Sequence, residues 1–354
     1  MAAPPEALQI LSSKVAERYA KAVENGDAFF YDSHVDVVGG DVKENVEAGA
    51  HVPWQIRMVP ALLKKDQAMD AAQKSEPPKE SVQQNKKDVF APPYVPNLLV
   101  AEFPEHTVLL NKFCVFPRHH LLVTREFVKQ ELPPSPAMIA LVYRIIVAFP
   151  APDSEVQMLG FFNCGEASGA SQPHSHFQLV DLQPPANTAE AIPIQVLLDR
   201  IERDGKEYDH VHMLPLPWQQ FCVLLDPPSD EAALESYFGN KFTELLDAMF
   251  SVAAKSGQKR AGPPSFNVLL TKRAMYVVPR AEESFDLNTT DWGVFSDKEK
   301  HQAPKQVGEL SINALGYAGF LLTRDMTETE ALSSPDNAHI LRVLTHTGFP
   351  NTAS

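Results

Sequence analysis

The hydrophobic residues of the chain recur at two spacings, which predict its helices and its strands. Apolar residues return every three or four positions in residues 6–24, after a proline pair, so this segment is predicted to form a helix. An apolar run at 136–149 and a longer amphipathic run at 229–255 predict two more helices. The tail at 328–346 is predicted to be helical as well.

Short runs rich in β-branched and aromatic residues predict the strands between these helices. The predicted segments are 107–115, 120–124, 156–163, 174–181, 219–226, a two-strand pattern at 265–280, and a strand or helix at 312–325. Residues 281–310 are polar and are predicted to form a loop. Strands and helices of both kinds in one chain predict an α+β fold.

The order of the predicted elements repeats along the chain. The first half gives two strands, a helix and two strands, and the second half gives a strand, a long helix and two strands. Phe266 and Asn267 stand in the second half where Phe162 and Asn163 stand in the first. We infer a duplication in which the second copy lost its histidines.

One segment breaks this regular pattern. Residues 67–88 are polar and charged, and they show no aliphatic periodicity. Such a composition buries too little apolar surface to offset the entropy of ordering, so a mobile loop or linker is predicted. A plain surface insertion is favoured over a lid that closes on a substrate.

Composition and charge narrow the class of protein. The chain has 354 residues, of which 44% are apolar, so two domains or one enlarged fold can be built. The net charge of −14 argues against a protein that coats nucleic acid, although a local group of lysines could still bind a nucleotide. No apolar run is long enough to span a bilayer, and the N-terminus lacks a signal-peptide layout.

The cysteines exclude two further classes of site. Cys114, Cys164 and Cys222 are far apart and form no CxxC pair, so neither a disulfide framework nor a cysteine zinc site is predicted. We therefore expect a reduced protein of the cytoplasm or nucleus, with no membrane partner and no nucleic-acid partner.

The clearest chemical signal lies in the segment from Gly169 to Gln178, GASQPHSHFQ. On a strand, His174, His176 and Gln178 point to one face, because side chains alternate with a period of two. An imidazole in such a row can attack phosphorus, while its neighbours orient the ring. The small residues before the histidines allow backbone amides to turn toward phosphate oxygens.

A His-x-His pattern also arises by chance or in metal sites. The chain contains a second one at His210 and His212, which no small-residue loop precedes, and we interpret it as structural. A zinc site would need a third ligand at close spacing, and the sequence offers none. We therefore predict that the protein binds no metal of its own.

Three stretches resemble a known family. Asn163, the segment SGASQPHSHFQ and the segment LLNKFCVFPRHHLLVT resemble the fungal diadenosine tetraphosphate (Ap4A) phosphorylases, also called ATP adenylyltransferases. These belong to the histidine-triad superfamily, in the branch of galactose-1-phosphate uridylyltransferase. The resemblance runs from about Arg57 to about Leu322. It implies two histidine-triad-like halves fused in one chain, each a mixed or antiparallel sheet with packed helices.

The resemblance also implies roles for single residues. His176, the second histidine of His-x-His-x-Gln, is expected to be the nucleophile, with His174 orienting the site. Gln178 replaces the third histidine of the superfamily and is expected to hold the nucleotidyl phosphate. Asn111 and His119, with Pro117 between them, occupy the offsets that bind ribose. Ser175 departs from the bulkier residue usual between the histidines, and the zinc ligands of the galactose enzyme have no counterpart.

The remaining implied contacts are with the substrate. They comprise Lys64 or Lys65, Lys112, Asn163, Gly169, Ala170, Ser171, Gln172, Asn267, Thr271 and Met275. Ordinary surface charge is the alternative for the lysines and for Arg57. Strand packing is the alternative for the residues of the second half, above all for Met275.

The resemblance implies four regions and one reaction. Residues 1–66 hold the N-terminal helix and a phosphate-contacting segment, 67–88 the linker, 89–205 the catalytic half and 206–354 a degenerate half that completes the nucleotide site. The expected reaction is Ap4A plus phosphate giving ATP plus ADP, through an adenylyl-histidine. The alternatives are a nucleotidylyltransferase with another acceptor, such as a sugar phosphate, and a non-catalytic nucleotide sensor.

The expected partners are small molecules. They are dinucleoside polyphosphates, ATP, ADP and phosphate, and the polyphosphate is expected to carry Mg²⁺ or another divalent ion with it. Because both halves lie in one chain, the protein is expected to be a monomer or a homodimer.

Overall fold

The computed structural model describes most of the chain. The described residues are 8, 10–40, 51–62, 88–149, 155–185, 190–203, 210–255, 262–289, 308–334 and 337–351. Lys64, Lys65 and all of the predicted loop except Asp88 lie outside them. No helix among these residues is both long and apolar enough to cross a membrane.

Sixteen strands and seven helices make up the described part of the chain. The strands are β1 (Phe29–Phe30), β2 (His34–Val38), β3 (Trp54–Met58), β4 (Leu99–Glu102), β5 (His106–Leu110), β6 (Phe113–Cys114), β7 (His120–Thr124), β8 (Gln157–Cys164), β9 (His176–Leu182), β10 (His212–Met213), β11 (Phe221–Leu224), β12 (Ser265–Leu270), β13 (Ala274–Arg280), β14 (Ser284–Asp286), β15 (Glu309–Ser311) and β16 (Phe320–Thr323). The helices are α1 (Leu11–Glu24), α2 (Pro136–Ala148), α3 (Val196–Arg203), α4 (Glu231–Lys255), α5 (Ala314–Ala318), α6 (Met326–Leu332) and α7 (Ala338–Thr347).

A nine-stranded sheet forms the centre of the molecule. Its order is β10-β11-β13-β12-β8-β9-β7-β5-β4, and every neighbouring pair is antiparallel. Helices α1, α2 and α4 cover one face, which we call the helix side. The helix α2 begins where its sequence predicts, because Ser135 accepts a hydrogen bond from the Met138 amide and Pro136 occupies the first turn.

The opposite face is covered by the smaller elements. A three-stranded sheet of order β16-β3-β2 packs there with the short helices of the C-terminal region. Trp54, Trp218 and Tyr317 are fully buried in this second core. A separate apolar cluster of Leu109, Leu121 and Val123 lies at the edge of the same face. A polar zone lies between this cluster and the C-terminal elements. It contains the predicted catalytic residues His174, His176 and Gln178.

The two halves of the large sheet repeat the same topology. The first half has the order β8-β9-β7-β5 and the second half the order β12-β13-β11-β10, and they join where β8 meets β12. At that seam Asn163 pairs directly with Asn267. An approximate two-fold axis at this pair therefore relates the halves and superposes Phe162 on Phe266. The repeat inferred from the sequence corresponds to this arrangement of strands.

Several sequence predictions need correction. The segment 107–115 is two strands, because β5 pairs with β7 up to Leu110 whereas Phe113 and Cys114 pair with β1. Residues 281–310 contain β14 and β15 rather than only a loop, and 312–325 contains a helix and then a strand. The sequence analysis missed the pairing of β3 with β2 and β16. The predicted helices at 136–149 and 229–255 are confirmed.

Candidate active site

His176 is the first residue of β9, and one of its ring nitrogens is hydrogen-bonded within the protein while the other is open to a ligand. Its neighbour Phe177 packs into the helix-side core, so His176 points to the opposite face. The ring Nδ1 lies 2.8 Å from the carbonyl oxygen of His174. A carbonyl only accepts, so Nδ1 carries the proton and Nε2 presents a lone pair. No hydrogen bond engages Nε2 within the described part of the chain.

The charge state of His176 suits a nucleophile. Burial lowers the pKa of His176 to about 4, although the hydrogen bond to the His174 backbone opposes the shift. The imidazole is therefore neutral near pH 7, and its lone pair is available. The Phe90 ring lies 5.0 Å from the His176 ring and restricts the approach of water on that side.

His174 is fixed at both ring nitrogens. Its Nδ1 lies 2.8 Å from Asp88 Oδ2, and its Nε2 lies 2.8 Å from the Thr124 carbonyl oxygen and 3.0 Å from the Thr124 hydroxyl. With neither nitrogen open, His174 positions the site rather than attacks. The Phe127 ring also packs edge-on against it at 5.3 Å.

The loop before the histidines offers free backbone donors. A short 3-10 turn at Glu166–Ser168 is tied to the second half through the Ala167 amide, which donates to Ser265 Oγ at 3.1 Å. The amides of Gly169 and Ala170 close the 3-10 turn, whereas those of Ser171 and Gln172 donate to no acceptor among the described residues. Open backbone N–H groups in such a small-residue loop are suited to bind an anion.

Gly169 allows the loop to approach the second half. Its φ is +78°, and a Cβ placed there would lie 2.8 Å from the Asn313 Cβ and 3.0 Å from the Ile312 carbonyl oxygen. Only glycine accepts both the left-handed conformation and the close contact.

Gln130 joins β8 and β9 of the first half. Its Nε2 donates to the Asn163 carbonyl oxygen at 2.7 Å, and its Oε1 accepts from the His176 amide at 2.7 Å. The Asn163 side chain lies on the same face as His176, because Phe161 pairs with Gln178 in the β8–β9 register. Gln130 therefore holds Asn163 and the nucleophile side by side.

Asn111 and His119 form a second polar pair beside the nucleophile. The Asn111 Nδ2 donates to the Phe113 carbonyl oxygen and to His119 Nδ1, both at 3.0 Å. Burial lowers the pKa of His119 to about 3, and the adjacent Gln178 opposes the shift. Since His119 Nδ1 accepts, its Nε2 carries the proton.

Comparison with known proteins places this geometry in a family. The model of the Ap4A phosphorylase N-terminal domain matches residues 9–200, and the model of the ATP adenylyltransferase C-terminal domain matches residues 214–350. The chain belongs to the Ap4A phosphorylase family. The family predicted from the sequence is thereby confirmed, and so is the α+β fold of two fused halves.

Individual relatives agree over the full length. The chain is 28% identical over 363 residues to diadenosine 5',5'''-P1,P4-tetraphosphate phosphorylase 2 of Saccharomyces cerevisiae, covering 97% of this chain and 96% of that protein. The crystal structure of yeast Ap4A phosphorylase Apa2 superposes with a TM-score of 0.71 at 24% identity, covering 100% of this chain and 97% of that chain. Its complex with Ap4A gives a TM-score of 0.70 at 23% identity, with full coverage of both chains.

The structure of this Ap4A phosphorylase family member brings most predicted site residues together. His174, His176 and Gln178 lie next to Asn111, Asn163 and the loop of Gly169, Ala170, Ser171 and Gln172. Lys112 is exposed, and its Nζ lies 5.7 Å from the centre of the Phe113 ring. Lys64 and Lys65 lie outside the described residues.

The predicted contacts of the second half lie in three different environments. Asn267 is buried at the seam next to Asn163. The Thr271 hydroxyl closes the β12–β13 turn by accepting from the Arg273 and Ala274 amides at 3.2 and 3.1 Å. Met275 packs in the helix-side core, on the face opposite His176, which favours the packing alternative for this residue.

Four residues of the site escaped the sequence analysis. They are Asp88, Phe90, Gln130 and Ala314, whose amide donates to Asn163 Oδ1 at 3.1 Å. None carries a local motif, because each meets the histidines or Asn163 only through tertiary contacts. Within the described residues, no group of three or more His, Cys, Asp or Glu side chains is arranged to hold a metal ion.

Proposed function

We propose that the protein catalyses the phosphorolysis of Ap4A, in which Ap4A and phosphate become ATP and ADP, through an adenylate carried on His176. The observation that carries this proposal is the neutral His176, with its Nε2 open, preceded by a loop in which the Ser171 and Gln172 amides are open. Membership of the Ap4A phosphorylase family supports the same reaction.

The first step transfers adenylate to the protein. Nε2 of His176 forms a bond to the α-phosphorus of Ap4A, while the bond from that phosphorus to the bridging oxygen breaks and ATP leaves with the oxygen. The proton on Nδ1 stays in its hydrogen bond to the His174 carbonyl oxygen, which stabilises the positive charge that the ring gains. The amides of Ser171 and Gln172 donate to the phosphate oxygens as charge develops.

The second step returns the adenylate to phosphate. An oxygen of inorganic phosphate attacks the α-phosphorus, and the bond from that phosphorus to His176 Nε2 breaks. ADP leaves, and His176 is again neutral. The donors that held the leaving polyphosphate remain in place and suit another anion. Phosphate gains orientation from them, whereas water gains little, and positioning can be worth several kcal/mol.

The substrate is expected to bring its own cation. Mg²⁺ binds phosphate oxygens with few protein ligands, so it can enter on the polyphosphate without a dedicated cage. Lys64 or Lys65 is proposed to add positive charge near the phosphates, which matters in a chain with a net charge of −14.

Product analysis tests the proposed reaction. The purified protein is incubated with Ap4A across a phosphate titration, and nucleotides are separated and counted. ADP should appear only with phosphate and in an amount equal to ATP. Formation of AMP and ATP at the same rate without phosphate would indicate a hydrolase instead. Exchange of sugar 1-phosphates into the product would indicate a different acceptor.

The nucleophile is tested with a matched pair of variants. His176→Asn should abolish turnover, and mass spectrometry of the quenched wild-type protein should find adenylate on the peptide that contains His176. His212→Asn alters the second His-x-His and should turn over normally. Normal turnover by His176→Asn would exclude this residue as the nucleophile.

A further inference from the structure

A buried arginine of the second half, Arg280, contacts the Ser168 carbonyl oxygen, which directly precedes the loop of residues 169–172. We call residues 169–172 the phosphate-binding loop. Arg280 is only 2% exposed. Under the two-fold relation Ser265 corresponds to Phe161, which pairs with Gln178, and Ser265 itself pairs with Arg280. Arg280 therefore occupies in the second half the position that Gln178 occupies in the first.

The guanidinium of Arg280 donates to five neutral oxygens and lies over the Tyr317 ring, with its Cζ 5.0 Å from the ring centre. Its acceptors are Asn267 Oδ1 at 2.7 Å and the carbonyl oxygens of Glu282 at 2.7 Å, Thr347 at 3.0 Å, Ser168 at 3.3 Å and Glu283 at 3.5 Å. No carboxylate among the described residues forms an ion pair with it. The charge is therefore held mainly by neutral dipoles and by the Tyr317 ring.

Arg280 determines how two asparagine amides are oriented. A guanidinium can only donate, so the Asn267 side chain must turn its oxygen to Arg280 and its nitrogen away. That nitrogen donates to Asn163 Oδ1 at 2.8 Å and to the Ser168 carbonyl oxygen at 2.9 Å. Asn163 Oδ1 also accepts from the Ala314 amide. The Nδ2 of Asn163 is thus turned away from the seam, and it has no partner among the described residues.

We propose that Arg280 is a positioning residue which, through Asn267, holds the Asn163 Nδ2 and the phosphate-binding loop in the orientation that donates to the reacting phosphate. The second half thereby acts on the chemistry of the first across the seam. This inference rests on the proposed function, because it assumes that an α-phosphate binds between His176 and the loop.

Two variants interrupt this chain of hydrogen bonds at different points. Arg280→Met removes the donor that fixes Asn267. Asn267→Asp keeps an acceptor for Arg280 but cannot donate to Asn163 or to Ser168, because a carboxylate has no N–H group. The second variant keeps Arg280 and gives it a carboxylate acceptor, so it keeps the proposal testable if the first fails to fold.

The measurement is a single-turnover assay with enzyme in excess over Ap4A and no phosphate. It follows the rate at which adenylate appears on the protein, beside a thermal melt of each variant. Removal of one oxyanion donor typically slows a reaction by about 10²–10³-fold, so both variants are expected to lose about 10²-fold in the adenylation rate. Binding of AMP should weaken much less than the rate, since the loop amides and the ribose site remain.

Arg273→Met provides the matched control. Arg273 lies in the same hairpin and meets Glu190, Asp199 and Glu202, all remote from the seam. Its removal should lower the melting temperature while the adenylation rate of the folded protein stays at the wild-type value. A loss of rate in this control equal to that of Arg280→Met would overturn the proposal, because stability alone would then explain both.

Failure of the inference differs from failure of the proposed function. If wild-type protein forms no adenylate, the proposed function is wrong and the comparison of variants has no meaning as a test of catalysis. If wild-type protein forms adenylate and folded Asn267→Asp forms it equally fast, the positioning role of Arg280 and Asn267 is wrong while the function stands.

Discussion

Asn267 donates a 2.8 Å hydrogen bond to the side-chain oxygen of Asn163, across the seam where the two halves of the sheet meet. The same two residues are related by the approximate two-fold axis of the fold. The two side chains nevertheless differ in their hydrogen bonds. The Asn267 side chain has its oxygen and its nitrogen engaged within the protein, whereas the Asn163 Nδ2 donates to no acceptor among the described residues.

This asymmetry predicts a single active site in each chain. The counterparts of His174, His176 and Gln178 in the second half are Tyr276, Val278 and Arg280, as the strand registers require. None of these can attack phosphorus in its buried setting, and the short helices of the C-terminal region cover them. The quenched protein should therefore carry at most one adenylate per chain by intact mass.

The control for this stoichiometry is His176→Asn, which should carry none. Two adenylates on one wild-type chain, or any adenylate on a peptide of residues 206–354, would show that the second half retains a working nucleophile.

Gly169→Ala is predicted to impair catalysis beyond its cost in stability. The left-handed conformation costs a residue with a side chain about 1–2 kcal/mol, and the added Cβ would also meet Asn313 and Ile312. The loop would have to move, which displaces its amides from the phosphate. The adenylation rate should fall by about 10²-fold, as for the loss of an oxyanion donor.

Gly26→Ala separates these two effects. Gly26 has a similar φ of +73°, but a Cβ there meets nothing within 4 Å. Both variants should lose comparable stability to the backbone strain, and only Gly169→Ala should lose rate. Equal rates in the two variants would show that the position of the loop does not matter for the reaction.

Asp88→Asn is predicted to lower kcat by about 10–100-fold, a range typical for residues that orient a catalytic group. Asp88 fixes His174 at 2.8 Å and also accepts from the Phe90 amide at 2.9 Å, so it holds both neighbours of His176. Steady-state kinetics with Ap4A and phosphate would measure the effect. Asp36→Asn is the matched control, because Asp36 pairs with His34 at 3.2 Å on the exposed surface. An unchanged kcat in Asp88→Asn would show that Asp88 does not orient a catalytic group.

The sequence was sufficient for the parts of the fold that depend on local pattern. The apolar run at 136–149 predicted α2, the amphipathic run at 229–255 predicted α4, and the alternation after Gly169 correctly placed His176 and Gln178 on one face of β9. The matching positions of Asn163 and Asn267 also followed from the sequence, because both copies keep the same strand order.

The rest depends on contacts between distant segments. Asp88 meets His174 across 86 positions, and β3 pairs with β16 from the opposite end of the chain. The break between β5 and β6 arises because Phe113 and Cys114 pair with Phe29 and Phe30, which are far away in the sequence. Gln130 lies between the predicted strand at 120–124 and the predicted helix at 136–149, and only the fold shows that it bridges β8 and β9.

The buried histidines predict that stability falls as the pH drops from about 6.5 to about 4. Burial lowers the pKa of His120 to about 4, of His176 to about 4 and of His119 to about 3, from 6.5 in each case. Between these values the unfolded chain binds more protons than the folded chain, so the free energy of unfolding decreases as protons are added. Burial raises the pKa of Asp181 from 3.8 to about 6, which acts in the opposite direction but involves one group against three.

Urea unfolding at about pH 7 and about pH 5 would measure this dependence, with the free energy extrapolated to water at each pH. The variant His120→Gln provides the control, because His120 lies on the helix side and stacks on Phe149 at 5.0 Å, away from the nucleophile. It should reduce the number of protons taken up on unfolding by about one while leaving turnover per folded molecule unchanged. Equal stability of the wild-type protein at both pH values would mean that these imidazoles are protonated in the folded state. The neutral form of His176 on which the reaction depends would then be absent at the lower pH.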